Sequence, residues 1–238
     1  GISNVALGNT SLDSVEAGGN NNTAIGSNAG TAITTGDNSV AVGTSALASN
    51  TTGGNNIGIG VSALSSNTTG GQNVAVGDNA LSTNTTGLRN TAVGYWALRL
   101  STGEGNTAVG YGGLGQNTGA ANTAIGRSAL ASNTTAADNT AVGYQTLYSN
   151  TTGTDNNALG KSALWSNTTG SLNTAMGDGA GYANTTGSYN TAIGASALNS
   201  NTTASQNTAV GYQAGWNNTT GNNNVALGLN ALQQNTTG

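Results

Sequence analysis

The chain has 238 residues, 39 of them glycine, with no proline, cysteine or histidine, 5% charged residues and a net charge of −4. Glycine at more than twice its usual share of about 7%, without proline, excludes a collagen helix and polyproline linkers. So few basic residues leave no stripe for a nucleic-acid backbone or a polyanionic membrane surface. Low charge beside regularly placed aliphatic residues favours order over disorder. Without cysteine there is no disulfide framework, thiolate chemistry or ordinary zinc site. No run approaches the roughly 18 apolar residues of a membrane span.

Residues 1–238 form one tandem array. Its units begin at Asn4, Asn22, Ser39, Asn56, Asn73, Asn90, Asn106, Asn122, Asn139, Asn156, Asn173, Asn190, Asn207 and Asn224, and most are 17 residues long. The first has 18 residues and two in the middle have 16. Both short units lose a residue where Ser-Asn-Thr-Thr-Gly becomes Leu100 to Gly103 or Gln116 to Gly119. A segment that tolerates deletion reads as a turn, so Asn-Thr-Thr-Gly is expected to form a corner. The chain starts and stops inside a unit, and is read as an excerpt of a longer, uncapped array.

Positions are counted from each unit's first residue. Position five is glycine in every unit, including Gly43, Gly60, Gly77, Gly94, Gly110, Gly126, Gly143, Gly160, Gly177, Gly194, Gly211 and Gly228. A corner with positive φ, or backbone approach too close for a Cβ, would require this. Position four is always aliphatic or Met, and position three is Ala except at Gly58. Positions two to four therefore predict a short strand ending at an obligatory glycine.

Ala-Leu at positions eight and nine predicts a second apolar step. Where Gly replaces that Leu, a large residue follows at Gly181-Tyr182 and Gly215-Trp216, as if an aromatic filled the vacated volume; Gly30-Thr31 departs from this. Positions six and ten accept almost any residue and read as solvent-facing. The starting Asn column, and the one at Asn50, Asn67, Asn84, Asn150 and Asn167, predict stacked amide ladders. One coil buries too little to order itself, so ladders to the coils on either side must hold it. The expected fold is all-β, a parallel β-solenoid of 17-residue coils.

Strand alternation sets position four on one face and position three on the other. With position four taken as the coil interior, position three faces outward, where it should drift but stays small. That assigns Ala41, Ala75, Ala92, Ala108, Ala124, Ala141, Ala158, Ala175, Ala192 and Ala209 to packing between chains. The partners are then copies of the same chain in a coaxial oligomer.

Ser39-Val40-Ala41-Val42-Gly43 and Asn73-Val74-Ala75-Val76-Gly77, each followed by Ala-Leu, are the best-formed cores. Through them, and through recurrence along the whole chain, the sequence resembles the YadA-like head repeats of trimeric autotransporter adhesins. The resemblance implies a left-handed β-roll, three chains about a common axis, and display outside the cell. The unit here is longer than the family's, the excess lying in the Asn-Thr-Thr-Gly corner. Similar arrays also look like parts of phage tail fibres and large bacterial surface fibres.

Without His or Cys no Ser-His or Cys-His nucleophile can be assembled from this chain. The carboxylates Asp13, Glu16, Asp37, Asp78, Glu104, Asp138, Asp155 and Asp178 fall at corners or variable positions, and no Asp column exists to bind calcium in every repeat. No catalytic, metal or cofactor site is expected, and the chain is read as no enzyme. The aromatics Tyr95, Trp96, Tyr111, Tyr144, Tyr148, Trp165, Tyr182, Tyr189, Tyr212 and Trp216 are candidates for an adhesive or sugar-stacking surface. The competing reading has them filling corners or touching neighbouring chains. Asn-Thr-Thr is a formal glycosylation sequon at Asn50, Asn67, Asn84, Asn133, Asn150, Asn167, Asn184, Asn201, Asn218 and Asn235, or simply a turn.

These readings predict a non-catalytic stalk or display segment of an extracellular fibre or surface adhesin. It would meet its own copies and possible host-surface or matrix ligands, without nucleic acid and without inserting in a membrane. A phage tail-fibre shaft is one alternative. An ice-binding solenoid is another, although adjacent Thr-Thr at a corner places neighbouring side chains on opposite sides.

Overall fold

The computed structural model describes residues 3–15 and 18–237. Glu16 lies outside them. The described residues contain fourteen three-residue strands. Residues 1–118 form one compact unit and residues 119–238 a second. The first carries β1 (Val5–Leu7), β2 (Thr23–Ile25), β3 (Val40–Val42), β4 (Ile57–Ile59), β5 (Val74–Val76), β6 (Thr91–Val93) and β7 (Thr107–Val109). The second carries β8 (Thr123–Ile125), β9 (Thr140–Val142), β10 (Asn157–Leu159), β11 (Thr174–Met176), β12 (Thr191–Ile193), β13 (Thr208–Val210) and β14 (Val225–Leu227). Within each unit every strand pairs in parallel with the next, equal positions opposite one another, as Ala75 opposes Ala92 and Ala175 opposes Ala192. Each unit is thus a parallel β-solenoid.

The ladder continues well beyond the strands. In the first unit Val40 N–H donates to Asn56 O at 2.8 Å, Leu47 to Ala63 at 2.9 Å, Ser49 to Ser65 at 3.0 Å and Thr51 to Thr68 at 2.9 Å. The second unit repeats this from Thr140 to Asn156 at 2.8 Å, Leu147 to Ala163 at 3.0 Å and Thr151 to Thr168 at 2.9 Å. Alternate residues around much of the perimeter therefore bond to a neighbouring coil. This supplies what a single coil lacks.

Such pairing around tight bends needs unusual backbone. Position nine is left-handed even where it is leucine, with φ of 53° at Leu47 and 50° at Leu147. Position seven is left-handed too, as at Ser45 (58°) and Gln145 (52°). Each such residue costs about 1–2 kcal/mol, repeated on nearly every coil. Buried leucine side chains and ladder hydrogen bonds offset it.

Where glycine takes position nine, aliphatic side chains fill the vacated volume, from the preceding coil at Gly181 and Gly215 and from both the preceding coil and its own at Gly30. A Cβ on Gly181 would lie 2.9 Å from Leu164 Cδ2, and one on Gly215 would lie 3.0 Å from Leu198 Cδ2. At Gly30 the fillers are Ile33 and Leu12, 3.0 and 3.1 Å away. The expectation that Tyr182 and Trp216 fill these spaces is corrected: Tyr182 is exposed and Trp216 half-buried. A leucine one rung away reaches the space without leaving the core.

Position five combines both reasons for glycine. Gly43 has φ of 125°, and a Cβ there would lie 2.6 Å from Gly60 O; at Gly143 the values are 136° and 2.6 Å from Gly160 O. Gly143→Ala is expected to destabilise the array by more than about 3 kcal/mol, strain and backbone clash adding. Gln145→Gly should stay within about 1 kcal/mol of the parent, relief of the left-handed penalty balancing glycine's entropy. Urea melts followed by far-UV circular dichroism measure both.

Candidate functional site

The interior of each coil is small and half polar. Position three is its apolar wall: Ala41, Ala75, Ala92, Ala108, Ala124, Ala141, Ala158, Ala175, Ala192 and Ala209 are at most 2% exposed within their own chain. Their assignment to packing between chains is therefore corrected. A 17-residue coil encloses the position-nine leucine and has room opposite it only for Ala. The position-four side chains, taken above as interior, point out instead.

The outward strand face is consequently aliphatic and regular. In the first unit it includes Ile25 and Ile59, and in the second Ile125, Leu159, Met176 and Ile193, all exposed, beside position-two residues such as Thr140, Thr174, Thr191 and Thr208. At β9 to β11 it dips into a shallow apolar depression lined by Val142, Leu159 and Met176. No charged residue occupies positions one to five of any repeat. The signal for this face was present in the sequence: position three is fixed in size, as an enclosed wall must be, whereas position four changes size and only keeps its apolar character.

Two asparagines close most coils. In the first unit Asn56 and Asn67 each donate from Nδ2 to Gly70 O at 2.8 Å; in the second Asn139 and Asn150 each donate to Gly153 O at 2.9 Å. One carbonyl thus uses both lone pairs. Asn167 Nδ2 also donates to Asn150 Oδ1 at 2.8 Å, and Asn184 to Asn167 at 2.8 Å, as Asn84 does to Asn67 at 2.9 Å in the first unit. In the starting column Oδ1 accepts the next coil's backbone N–H, as Asn56 does from Asn73 at 3.0 Å, and in the second unit also its amide, as Asn139 does from Asn156 Nδ2 at 3.1 Å and Asn156 from Asn173 at 3.0 Å. Sequence alone did not reveal the shared carbonyl.

The sequon asparagines Asn50, Asn67, Asn84, Asn133, Asn150, Asn167, Asn184, Asn201 and Asn218 are buried to 1% exposure or less, their amides inside the coil. Asn235 is half-buried. In the shortened coil Ser101 takes the ladder position, and its Oγ is a buried atom without a hydrogen-bond partner.

The aromatics fall into separate groups. In the first unit Tyr95 stacks on Tyr111 at 5.6 Å, Trp96 lies beside both, and the Arg99 guanidinium sits 4.8 Å over Trp96. In the second, position ten stacks Tyr148, Trp165 and Tyr182 at 5.6 and 5.5 Å with interplanar angles of 5° and 8°. Each stacked pair contributes about 0.5–1.5 kcal/mol. Tyr144 at position six faces the Arg127 guanidinium at 5.8 Å, and Tyr189 and Tyr212 are exposed. Face-to-face stacking has a chemical consequence: inside the Tyr148–Trp165–Tyr182 ladder the ring faces are turned to each other, leaving edges for a ligand.

Among the described residues, no three His, Cys, Asp or Glu side chains gather where they could hold a metal ion. Arg89 and Glu104 form an exposed ion pair at 3.8 Å, of little energetic weight. No helix among the described residues is long and apolar enough to cross a membrane.

Asn167→Ala is expected to destabilise by about 1–3 kcal/mol, because it leaves Gly170 O and Asn150 Oδ1 short of a donor. Ser101→Ala should be neutral or stabilising by up to about 1 kcal/mol, since it removes an unpaired hydroxyl. Chemical denaturation ranks the two. An N-oligosaccharyltransferase acting on the folded protein should leave the Asn-Thr-Thr asparagines from Asn50 to Asn218 unmodified in peptide mass mapping, while the unfolded chain gains glycan there. Comparison with protein-family models and with curated proteins found no match to this chain.

Proposed function

We propose that this chain is a non-catalytic structural or adhesive segment of an extracellular fibre. Copies of it pack as a coaxial homotrimer through the outward faces of their strands. The observation that carries this is the apolar position-four column: exposed or half-buried in one chain, repeated on every coil and free of charge. Covering it recovers about 25 cal/mol per Å² of apolar surface, multiplied by the number of coils. A long, repetitive, uncharged strip is suited to a partner with the same repeat, and the chain itself has that repeat. The charges lie elsewhere, as at Lys161 and Asp178 of position six, on surface left to solvent. A bacterial surface fibre or a phage tail-fibre shaft would use such a segment alike.

A second reading is favoured by one observation. Thr174, Thr191 and Thr208 stand in register on the same face as the position-four aliphatics. Threonine hydroxyls and methyls repeated on a sheet, unlike those at a corner, are suitably placed to order water as an ice-binding face. That use requires the face to be open, whereas the trimer covers it.

Light scattering coupled to size exclusion at micromolar concentration is expected to give three times the chain mass. Val142→Cys should yield covalent dimers on mild oxidation, and Ile193→Lys should shift the mass toward monomer. A monomer that does not cross-link would refute the assembly. Thermal hysteresis in that monomer would support the ice-binding reading.

A further inference from the structure

The position-ten column of the second unit is interrupted at one place. Tyr148, Trp165 and Tyr182 occupy successive coils, Asn199 follows, and Trp216 takes the position on the coil after that. Tyr182 is stacked on Trp165 at 5.5 Å and 8°, so its opposite face is turned along the array toward the Asn199 coil. Asn199 does not rise to meet it: its Nδ2 donates 3.2 Å back to Gly179 O, and the side chain is half-buried. Glycine at position seven leaves the room for that, the amide lying 3.5 Å from where a Gly179 Cβ would be. The result is a notch one coil deep between two aromatic positions.

We infer that this notch is a binding site for one pyranose ring of a neutral oligosaccharide, held between Tyr182 and Trp216. Two rungs of about 4.8 Å separate those positions by roughly 10 Å. Trp165 fills the same two-rung gap between Tyr148 and Tyr182, and a pyranose ring, thicker by the C–H bonds on both its faces, fits it as well. Those C–H groups carry partial positive charge that complements the negative faces of aromatic rings. Asn199, its Nδ2 held by Gly179 O, offers its Oδ1 on the floor to a sugar hydroxyl. Charge decides the ligand class. No residue after Asp178 is charged, so an anionic sugar gains no counter-charge at the notch.

The full chain is titrated with cellohexaose, maltohexaose and chitohexaose, followed by saturation-transfer NMR and calorimetry. At least one of the three should bind with a millimolar or lower Kd. Tyr182→Ala and Trp216→Ala should each weaken it by about fivefold or more. Asn199→Trp retains every aromatic and fills the notch, and should weaken binding as much. Tyr148→Ala shortens the ladder away from the notch and should leave the Kd within about twofold. Circular dichroism melts establish that each variant is folded. Absence of binding by all three sugars, or parental affinity in Asn199→Trp, overturns the proposal, whichever oligomeric state the chain adopts.

Discussion

The structure depends on how little a coil of this length can enclose. Its interior accepts one leucine, two alanines and two asparagine amides, and one carbonyl at the Asn-Thr-Thr-Gly corner receives both amides. Gly70 O and Gly153 O each tie the start of the coil to its far corner, so the ring closes through side chains where no strand does so. Buried amides in a narrow core are stabilising only when fully paired. Stacking Asn on Asn meets that condition on each rung by repeating the previous one.

That crowding explains the outer surface. With Leu at position nine and Ala at positions three and eight the core is full, and the remaining aliphatics must face outward. The same chain therefore has a filled interior and an unfilled apolar face. The proposed fibre would use both: the polar-apolar core would make each chain rigid, and the outward column would give copies a continuous line of contact. Local strain is spread as evenly as the contacts. Left-handed residues at positions seven and nine cost little singly, and the ladder across each bend holds them.

Much of the fold was legible in the repeat. The period, the strand at positions two to four, the glycine ending it and the second step at Leu147 and its equivalents follow from comparing units with one another. The orientation of the strand did not follow. Val142 and Ala141 satisfy the same alternation whichever is inside, and only the size of the coil decides that Ala is. The Asn corner was recognised as a turn, but a turn is ordinarily solvated, and nothing in Asn-Thr-Thr-Gly announces that Asn150 is enclosed while Thr152 remains outside. The aromatic column was visible as residues and invisible as geometry, because stacking depends on rotamers that a list of tyrosines and tryptophans does not contain.

Ser101 gives this architecture a mechanical meaning. Hydrogen bonds between coils run along the array, so tension applied along that direction opens rungs in sequence instead of shearing many together. In the first unit a serine interrupts the amide ladder, so the Ser101 rung lacks the side-chain bond that Asn67 and Asn84 each make to the coil before and is expected to yield before theirs. Each released coil of 17 residues lengthens the chain by up to about 60 Å, at roughly 3.4 Å per residue. In the proposed fibre a soft rung would absorb a sudden load and spare the coils around it.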